Sequence, residues 1–235
     1  IALPFMVVCT STRCVEMASR AEPDHAARMD GIYCMQRHIY DLTRKYYLLG
    51  RDRLIQRLEL APDAAALEIG CGTGRNLALA TRQYPQASLH GLDISRAMLR
   101  SAEAKLADPM AQGRVQLAQG DATCFDAAAL FGRAQFDSIW FSYTLSMIPN
   151  WRGALEMAID LVAAGGSIHI VDFGQQAGLP RWFRHLLHRW LEKFHVTPRA
   201  WLIDTCQEIA DQHHWQIQIE RPYRDYAWLI TLRRP

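Results

Sequence analysis

Ala66-Leu67-Glu68-Ile69-Gly70-Cys71-Gly72-Thr73-Gly74-Arg75-Asn76 decides how this chain folds. An apolar run beginning at Ala64 carries one acid, Glu68, and then meets three glycines at alternate positions. The pattern predicts a strand, a tight turn and a helix. Glycine adopts positive φ without strain and lets a ligand approach the main chain. The helix after the turn aims its unpaired N–H groups back at it.

Two adenosine-bearing ligands use such a turn. A dinucleotide takes G-x-G-x-x-G, whose third glycine would fall where this chain has Arg75. The pattern here, E-x-G-x-G-x-G, instead resembles motif I of class I S-adenosylmethionine-dependent methyltransferases.

Outward from the turn, short apolar runs alternate with helical periods, as in parallel α/β folds. Strands are predicted over 64–69, 88–92, 115–118, 136–141 and 167–171. Helices are predicted over 75–84, from an N-cap at Ser95 to about 107, and over 152–162 with Gly165-Gly166 as its stop. The tail changes rhythm. It reads as an amphipathic helix over 180–195, then a helix to about 210 with Thr197 as N-cap and Pro198 as first residue. Two strands follow, 215–220 and 226–232, joined by a turn at Arg221-Pro222.

The expected fold class is α/β: a Rossmann-like class I methyltransferase with a mostly parallel seven-stranded sheet. Helices cover both faces and a C-terminal strand runs antiparallel. Residues 1–30 read as a lead-in, not native before Met17; Met29 is the other candidate start. Residues 31–235 read as a single domain with a helical N-terminal cap (31–60), split at Gly50, and a helical insertion (175–210).

Composition excludes several classes. The 235 residues carry a net charge of +2, with nearly all the basic residues arginine, so nothing calls for nucleic acid. Six scattered cysteines without a C-x-x-C pair suggest neither a disulfide framework nor zinc. No His/Cys/Asp cluster has metal-ligand spacing, so no metal is expected. No apolar run approaches the roughly 20 residues of a membrane span.

Candidate ligand-binding residues cluster at strand ends. Glu68, Gly70, Cys71, Gly72, Thr73, Gly74 and Asn76 form the first turn. Asp93, 25 residues after Glu68 and followed by Ile94, is placed to accept from ribose hydroxyls. Asp121 follows the third strand, where an acid accepts from the adenine amino group, with Ala122 offering its backbone N–H. Ser142 and Tyr143 follow the fourth, beside the methionine portion or the acceptor. Each acid alone is as well explained as a cap or loop carboxylate; their order along the chain is what points to S-adenosyl-L-methionine.

Longer strings narrow the resemblance. Tyr40-Asp41 followed by Gly50 is similar to the start of the quinone C-methyltransferases, in which an N-terminal Tyr helps close the site. Four others resemble the bacterial diacylglycerylhomoserine N-methyltransferases of betaine-lipid synthesis. They are Arg37-His38-Ile39-Tyr40-Asp41-Leu42-Thr43-Arg44-Lys45-Tyr46, Phe141-Ser142-Tyr143-Thr144-Leu145-Ser146-Met147-Ile148-Pro149, Val171-Asp172-Phe173-Gly174-Gln175-Gln176 and Phe194-His195-Val196-Thr197-Pro198-Arg199. This second resemblance implies three methylations of a homoserine amine. It also implies a lipid substrate at the membrane surface, an upstream aminocarboxypropyl-transferring enzyme as partner, and a cytoplasmic location, peripheral at the inner membrane.

On that reading, Tyr143 and Tyr40 are the expected catalytic residues. Tyr47 is a further candidate for an aromatic cage around the methylated ammonium, and so is Trp140, though a strand Trp is more often core. Arg44, Arg51 and Arg199 are candidates for the homoserine carboxylate. His38, His169 and His195 are weighed as proton acceptors and given no catalytic role. The helix over 180–195 aligns Trp182, Phe183, Leu186, Leu187, Trp190, Leu191 and Phe194 against a basic face, which suits either packing on the sheet or an interfacial position in a membrane.

Overall fold

The computed structural model describes residues 47–194 and 196–235. Tyr40, Arg44, His38, His195 and the lead-in lie outside the described residues.

Seven strands form one sheet in the order β3-β2-β1-β4-β5-β7-β6. They are β1 (Ala65–Ile69), β2 (Ser88–Asp93), β3 (Val115–Gln119), β4 (Phe136–Ser142), β5 (Val162–Phe173), β6 (Gln216–Glu220) and β7 (Ala227–Arg233). β1 to β5 pair in parallel, and β7 runs antiparallel to both β5 and the edge strand β6. β1 is buried at every position. Such a strand, covered on both faces, reads as a continuous apolar run. The chain winds from β1 outward to β3 and then returns to the other side of β1 as β4. That reversal opens a crevice at the carboxyl ends of β1 and β4, where open α/β sheets take ligands.

Helix starts follow local chemistry. Gly50, at φ +85°, is the N-cap of α1 (Arg51–Gln56). Gly74, at φ +71°, starts α2 (Arg75–Gln83), whose Leu77 and Ala80 are buried. Ser95 caps α3 (Arg96–Lys105) by accepting from the Met98 amide, and a short α4 (Ala107–Ala111) follows. Asp126 and Asn150 likewise cap α5 (Ala127–Phe131) and α6 (Trp151–Leu161). The insertion holds α7 (Arg181–Glu192), and α8 (Leu202–His213) leads into β6.

Two expected boundaries are corrected. Gly165-Gly166 do not stop a helix, because α6 ends at Leu161 and β5 begins at once. The glycines form a bulge: the register jumps from Phe136↔Val162 to Ser138↔Ser167. A Cβ on Gly166 would lie 2.8 Å from the Asp137 carbonyl, and Gly165 takes φ +75°. Likewise, Thr197 and Pro198 do not start a helix; α8 begins at Leu202. The Thr197 amide instead donates to the Ser146 carbonyl at 2.9 Å. Tertiary pairing holds this stretch extended against a propensity to start a helix.

Candidate functional site

The glycine turn is held by β2. The Gly70 and Cys71 amides both donate to the Leu92 carbonyl, at 2.8 and 3.0 Å. Gly70 and Gly72 take φ of +75° and +55°. A Cβ on Gly70 would overlap the Thr144 side chain, so the turn closes on the loop after β4. Gly74 has a different part: its Cα faces α3, where a Cβ would meet Leu106 and Ala102 at 2.8 and 2.9 Å. It lines neither of the clefts described below, unlike its expected place in the binding turn.

Two clefts meet at this turn and share Gly70, Gly72 and Ser142. The first encloses about 610 Å³ of empty space, open to solvent. Its walls are mostly apolar (Leu92, Ile94, Met98, Ala122, Ile148), with the Asp93 carboxylate among them. The second encloses about 1000 Å³ and is polar, with Arg51, Glu68, Thr73, Arg75, Asn76 and Lys105 in its walls.

Asp93 ties the turn to α3. Its Oδ2 accepts from the Gly72 amide at 2.7 Å and its Oδ1 from the Ser95 amide at 2.9 Å. Asp121 lies between the cleft residues Gly120 and Ala122. Its Oδ1 accepts from both the amide and the hydroxyl of Thr123 at 2.8 Å.

Glu68 is 1% exposed. Its Oε1 accepts from Asn76 Nδ2 at 2.7 Å. Oε2 and Ser142 Oγ, both on residues that line the polar cleft, are buried without a hydrogen-bond partner among the described residues. Burial pushes the Glu68 carboxyl up to about 8, against the pull of Asn76, Trp140 and Arg51 toward ionisation. An orphaned carboxyl oxygen at a polar cleft can receive a cationic ligand group.

Tyr143 sits at φ +57°, rare for a non-glycine residue. Its hydroxyl donates to the Leu49 carbonyl at 2.6 Å, and its ring meets Phe173 edge-on at 4.6 Å. Burial holds its pKa well above the usual value. Tyr143 is therefore a neutral aromatic wall and not a base.

The other candidates separate. Arg51 faces the polar cleft, with Nε donating to the Leu48 carbonyl at 3.2 Å. Arg199 does not face the clefts' ligand walls; it donates to the carbonyls of Leu145 and Ile148 at 3.0 and 2.6 Å. Trp140 is fully buried in the core. His169 is a satisfied core residue between Ser167 and Thr231, pushed down to about 3 by burial. Among the described residues, no group of three His, Cys, Asp or Glu is placed to hold a metal.

Asp172 was unassigned by sequence reasoning. It is 1% exposed, and accepts from the Phe173 amide at 2.8 Å and the Ser146 amide at 3.0 Å. Together with Arg199 and Thr197 it clamps the loop that carries Tyr143, Thr144, Met147 and Ile148. Its only sequence signal was an acid at the end of a predicted strand.

Comparison with known proteins bears on this geometry. Residues 67–168 match the family model of a methyltransferase domain. A malonyl-[acyl-carrier protein] O-methyltransferase from Herminiimonas arsenicoxydans is 38% identical over 107 residues, 45% of this chain and 36% of the relative. A ubiquinone/menaquinone biosynthesis C-methyltransferase from Syntrophotalea carbinolica is 29% identical over 161 residues, 64% of this chain and 65% of the relative. The chain thus spans less than two thirds of either relative's length. In fold, it resembles a phosphoethanolamine N-methyltransferase from Haemonchus contortus solved with S-adenosylhomocysteine. That likeness has a TM-score of 0.62 at 16% identity, over 79% of this chain and 52% of the other. Residues 67–168 of this chain thus match a methyltransferase domain and lie on a Rossmann-like sheet, and the cofactor is S-adenosylmethionine.

Proposed function

We propose that this chain N-methylates diacylglycerylhomoserine, giving the trimethylated betaine lipid, at a cytoplasmic membrane surface. S-adenosylmethionine, when bound, supplies an electrophilic methyl group: the amine nitrogen forms the new N–C bond as the S–C bond breaks, and the amine's proton leaves to water.

The two clefts fit such a cofactor. The apolar cleft suits an adenine ring between Ile94, Met98 and Ala122, with ribose hydroxyls at Asp93. The polar cleft suits an amino-acid end, with its ammonium at Glu68 Oε2 and its carboxylate toward Arg51. Gly70, Gly72 and Ser142 join the two. The acceptor then meets the joint from the Tyr143 side. The protein's own contribution is orientation and exclusion of water, since the hydroxyl of Tyr143 is engaged.

One observation carries the lipid reading. α7 exposes Trp182 and Leu186, at 70% and 62%, on a helix that also carries Arg181, Arg184 and Arg189. Bulky apolar groups beside arginines are the composition of a helix lying in a headgroup region. Among the described residues, no helix is long and apolar enough to cross a membrane. The upstream enzyme that installs the aminocarboxypropyl group is the proposed partner, delivering the lipid at that surface.

A quinone or other small-molecule acceptor is the second reading, favoured by the quinone C-methyltransferase relative. Incubating the protein with S-adenosylmethionine and diacylglycerylhomoserine in vesicles separates the two. Lipid gaining one, two and three methyl groups by mass spectrometry is the expected result. Methylation of a demethylated quinone with the lipid untouched would replace the first reading by the second.

A further inference from the structure

β6 closes one side of the sheet and pairs with β7 alone. The ladder shows which of its main-chain groups face outward. The Arg234 amide donates to the Gly166 carbonyl at 2.9 Å, beside the Ser167↔Arg233 pair. An antiparallel ladder alternates, so Ile230 and Leu232 turn their main-chain groups to β5, and Leu229, Thr231 and Arg233 turn theirs to β6. Their partners in β6 are Glu220, Gln218 and Gln216. The amides and carbonyls of Ile217 and Ile219 therefore point away from the sheet. Among the described residues, no backbone hydrogen bond from outside the strand reaches them.

Sheet edges are normally blunted by lysine, proline, a bulge or an outward charge. β6 reads Gln216-Ile217-Gln218-Ile219-Glu220 and keeps an unbroken register with β7. Its one charge, Glu220, is held in ion pairs by Arg53 and Arg57 of its own chain. Ile217 and Ile219 lie on the other face, where they pack against the cluster that holds Leu202, Cys206 and Ala210 of α8, yet both stay only partly buried.

We propose that β6 pairs with β6 of a second copy of this chain, antiparallel about a two-fold axis at Gln218, joining two sheets into one. The strand is self-complementary in that register. Ile217 of one copy falls opposite Ile219 of the other, and their outward amides and carbonyls exchange hydrogen bonds. Gln218 meets Gln218 in the close, non-hydrogen-bonded position, with Cα atoms about 4.5 Å apart, where the two side-chain amides bond each other. Gln216 meets Glu220 and donates to its carboxylate. No like charges oppose within the strand, and the isoleucines of the two copies cover one another on the α8 face. The contact is isologous, so it closes at two copies. It uses no residue of either cleft.

Sedimentation equilibrium of the full chain over a range of concentrations tests this. One short strand sits at the small end of stable interfaces, so the wild type should form a dimer with a roughly micromolar dissociation constant. Hydrogen exchange at the Ile217 and Ile219 amides should slow as concentration rises. Gln218→Lys and Gln218→Glu change an exposed side chain, so each should fold as the wild type does. Each alone should dimerise roughly tenfold more weakly, because like charges then face across the axis. Mixed in equal amounts, the two should dimerise about tenfold more tightly than either alone, because the facing charges then differ in sign. A wild type that stays monomeric at about 0.2 mM, or variants that dimerise as the wild type does both alone and mixed, overturns the pairing. Ile217 and Ile219 amides protected equally at every concentration would give the edge to the chain's own residues 1–46, and would overturn it too.

Discussion

The Gly72 amide donates to Asp93 Oδ2 at 2.7 Å, joining the first turn to the end of the neighbouring strand. The same carboxylate holds the Ser95 amide at the start of α3. Asp93 thus shapes the turn as well as facing the cleft. Asp93→Ala should weaken S-adenosylmethionine binding by roughly 1–3 kcal/mol, through lost ribose acceptors and a loosened turn. Asp93→Asn keeps one acceptor oxygen and should fall between. Calorimetric titration reads this directly; a wild-type dissociation constant for Asp93→Ala would move the ribose elsewhere.

Gly72 is at φ +55°, where a β-branched side chain is strained. Gly72→Val should abolish S-adenosylmethionine binding, because the backbone must leave that conformation where the two clefts meet. Retained calorimetric affinity would remove this turn from the cofactor site.

Glu68 is costly to ionise where it lies. Its folded pKa, about 8, stands above the ordinary 4.5. Between those values the folded state holds a proton that the unfolded state has released, so stability falls as pH rises from about 4.5 through about 8. Glu68→Gln removes that dependence. It should raise the melting temperature at pH 8, by a stabilisation on the order of a few kcal/mol, and leave pH 4.5 nearly unchanged. The same variant should bind S-adenosylmethionine more weakly, having lost a carboxyl group that the ligand's ammonium can draw toward ionisation. Thermal melts across this pH range with cofactor titrations check both. Weaker stability at pH 8 with unchanged affinity would refute this account.

Much of the fold was legible because its signals are local. A buried parallel strand reads as an apolar run, and Gly70, Gly72 and Gly74 mark the turn after it. Strand ends then locate Asp93, Asp121 and Ser142 without further information. The misread stretches are those where distant backbone decides. Thr197-Pro198 reads as a helix start, yet Thr197 pairs with Ser146, 51 residues earlier. Gly165-Gly166 reads as a helix stop, yet Gly166 is required by the close approach of Asp137. The same limit divides the site. Sequence order could not show that Leu49 takes the Tyr143 hydroxyl, or that two loop carbonyls take Arg199.

Arg199 tests that last point. Its guanidinium holds the carbonyls of Leu145 and Ile148, and Asp172 holds the amide of Ser146 between them. Removing the side chain leaves two carbonyls short of a charged donor, at about 1–3 kcal/mol. Arg199→Ala should therefore lower the melting temperature and speed hydrogen exchange at the amides of Ser146 to Ile148. Exchange in the first glycine turn should change less. A variant that keeps wild-type exchange in the loop but loses acceptor affinity would return Arg199 to the substrate carboxylate.

The outer face of α7 separates a packing helix from an interfacial one. Leu187 and Leu191 are buried against the core, and they account for the fold's need of this helix. Trp182 and Leu186 do not pack in that way, at 70% and 62% exposed. Trp182→Ala with Leu186→Ala removes apolar area from the surface alone, so stability should change by only about 0.5 kcal/mol. Co-sedimentation with phosphatidylglycerol vesicles should fall sharply, while S-adenosylmethionine affinity stays as it is. Added salt should weaken wild-type binding further, since Arg181, Arg184 and Arg189 act through screened charge. Undiminished sedimentation of the double variant, or binding indifferent to both apolar area and salt, would leave α7 a packing helix and the lipid acceptor without its supporting surface.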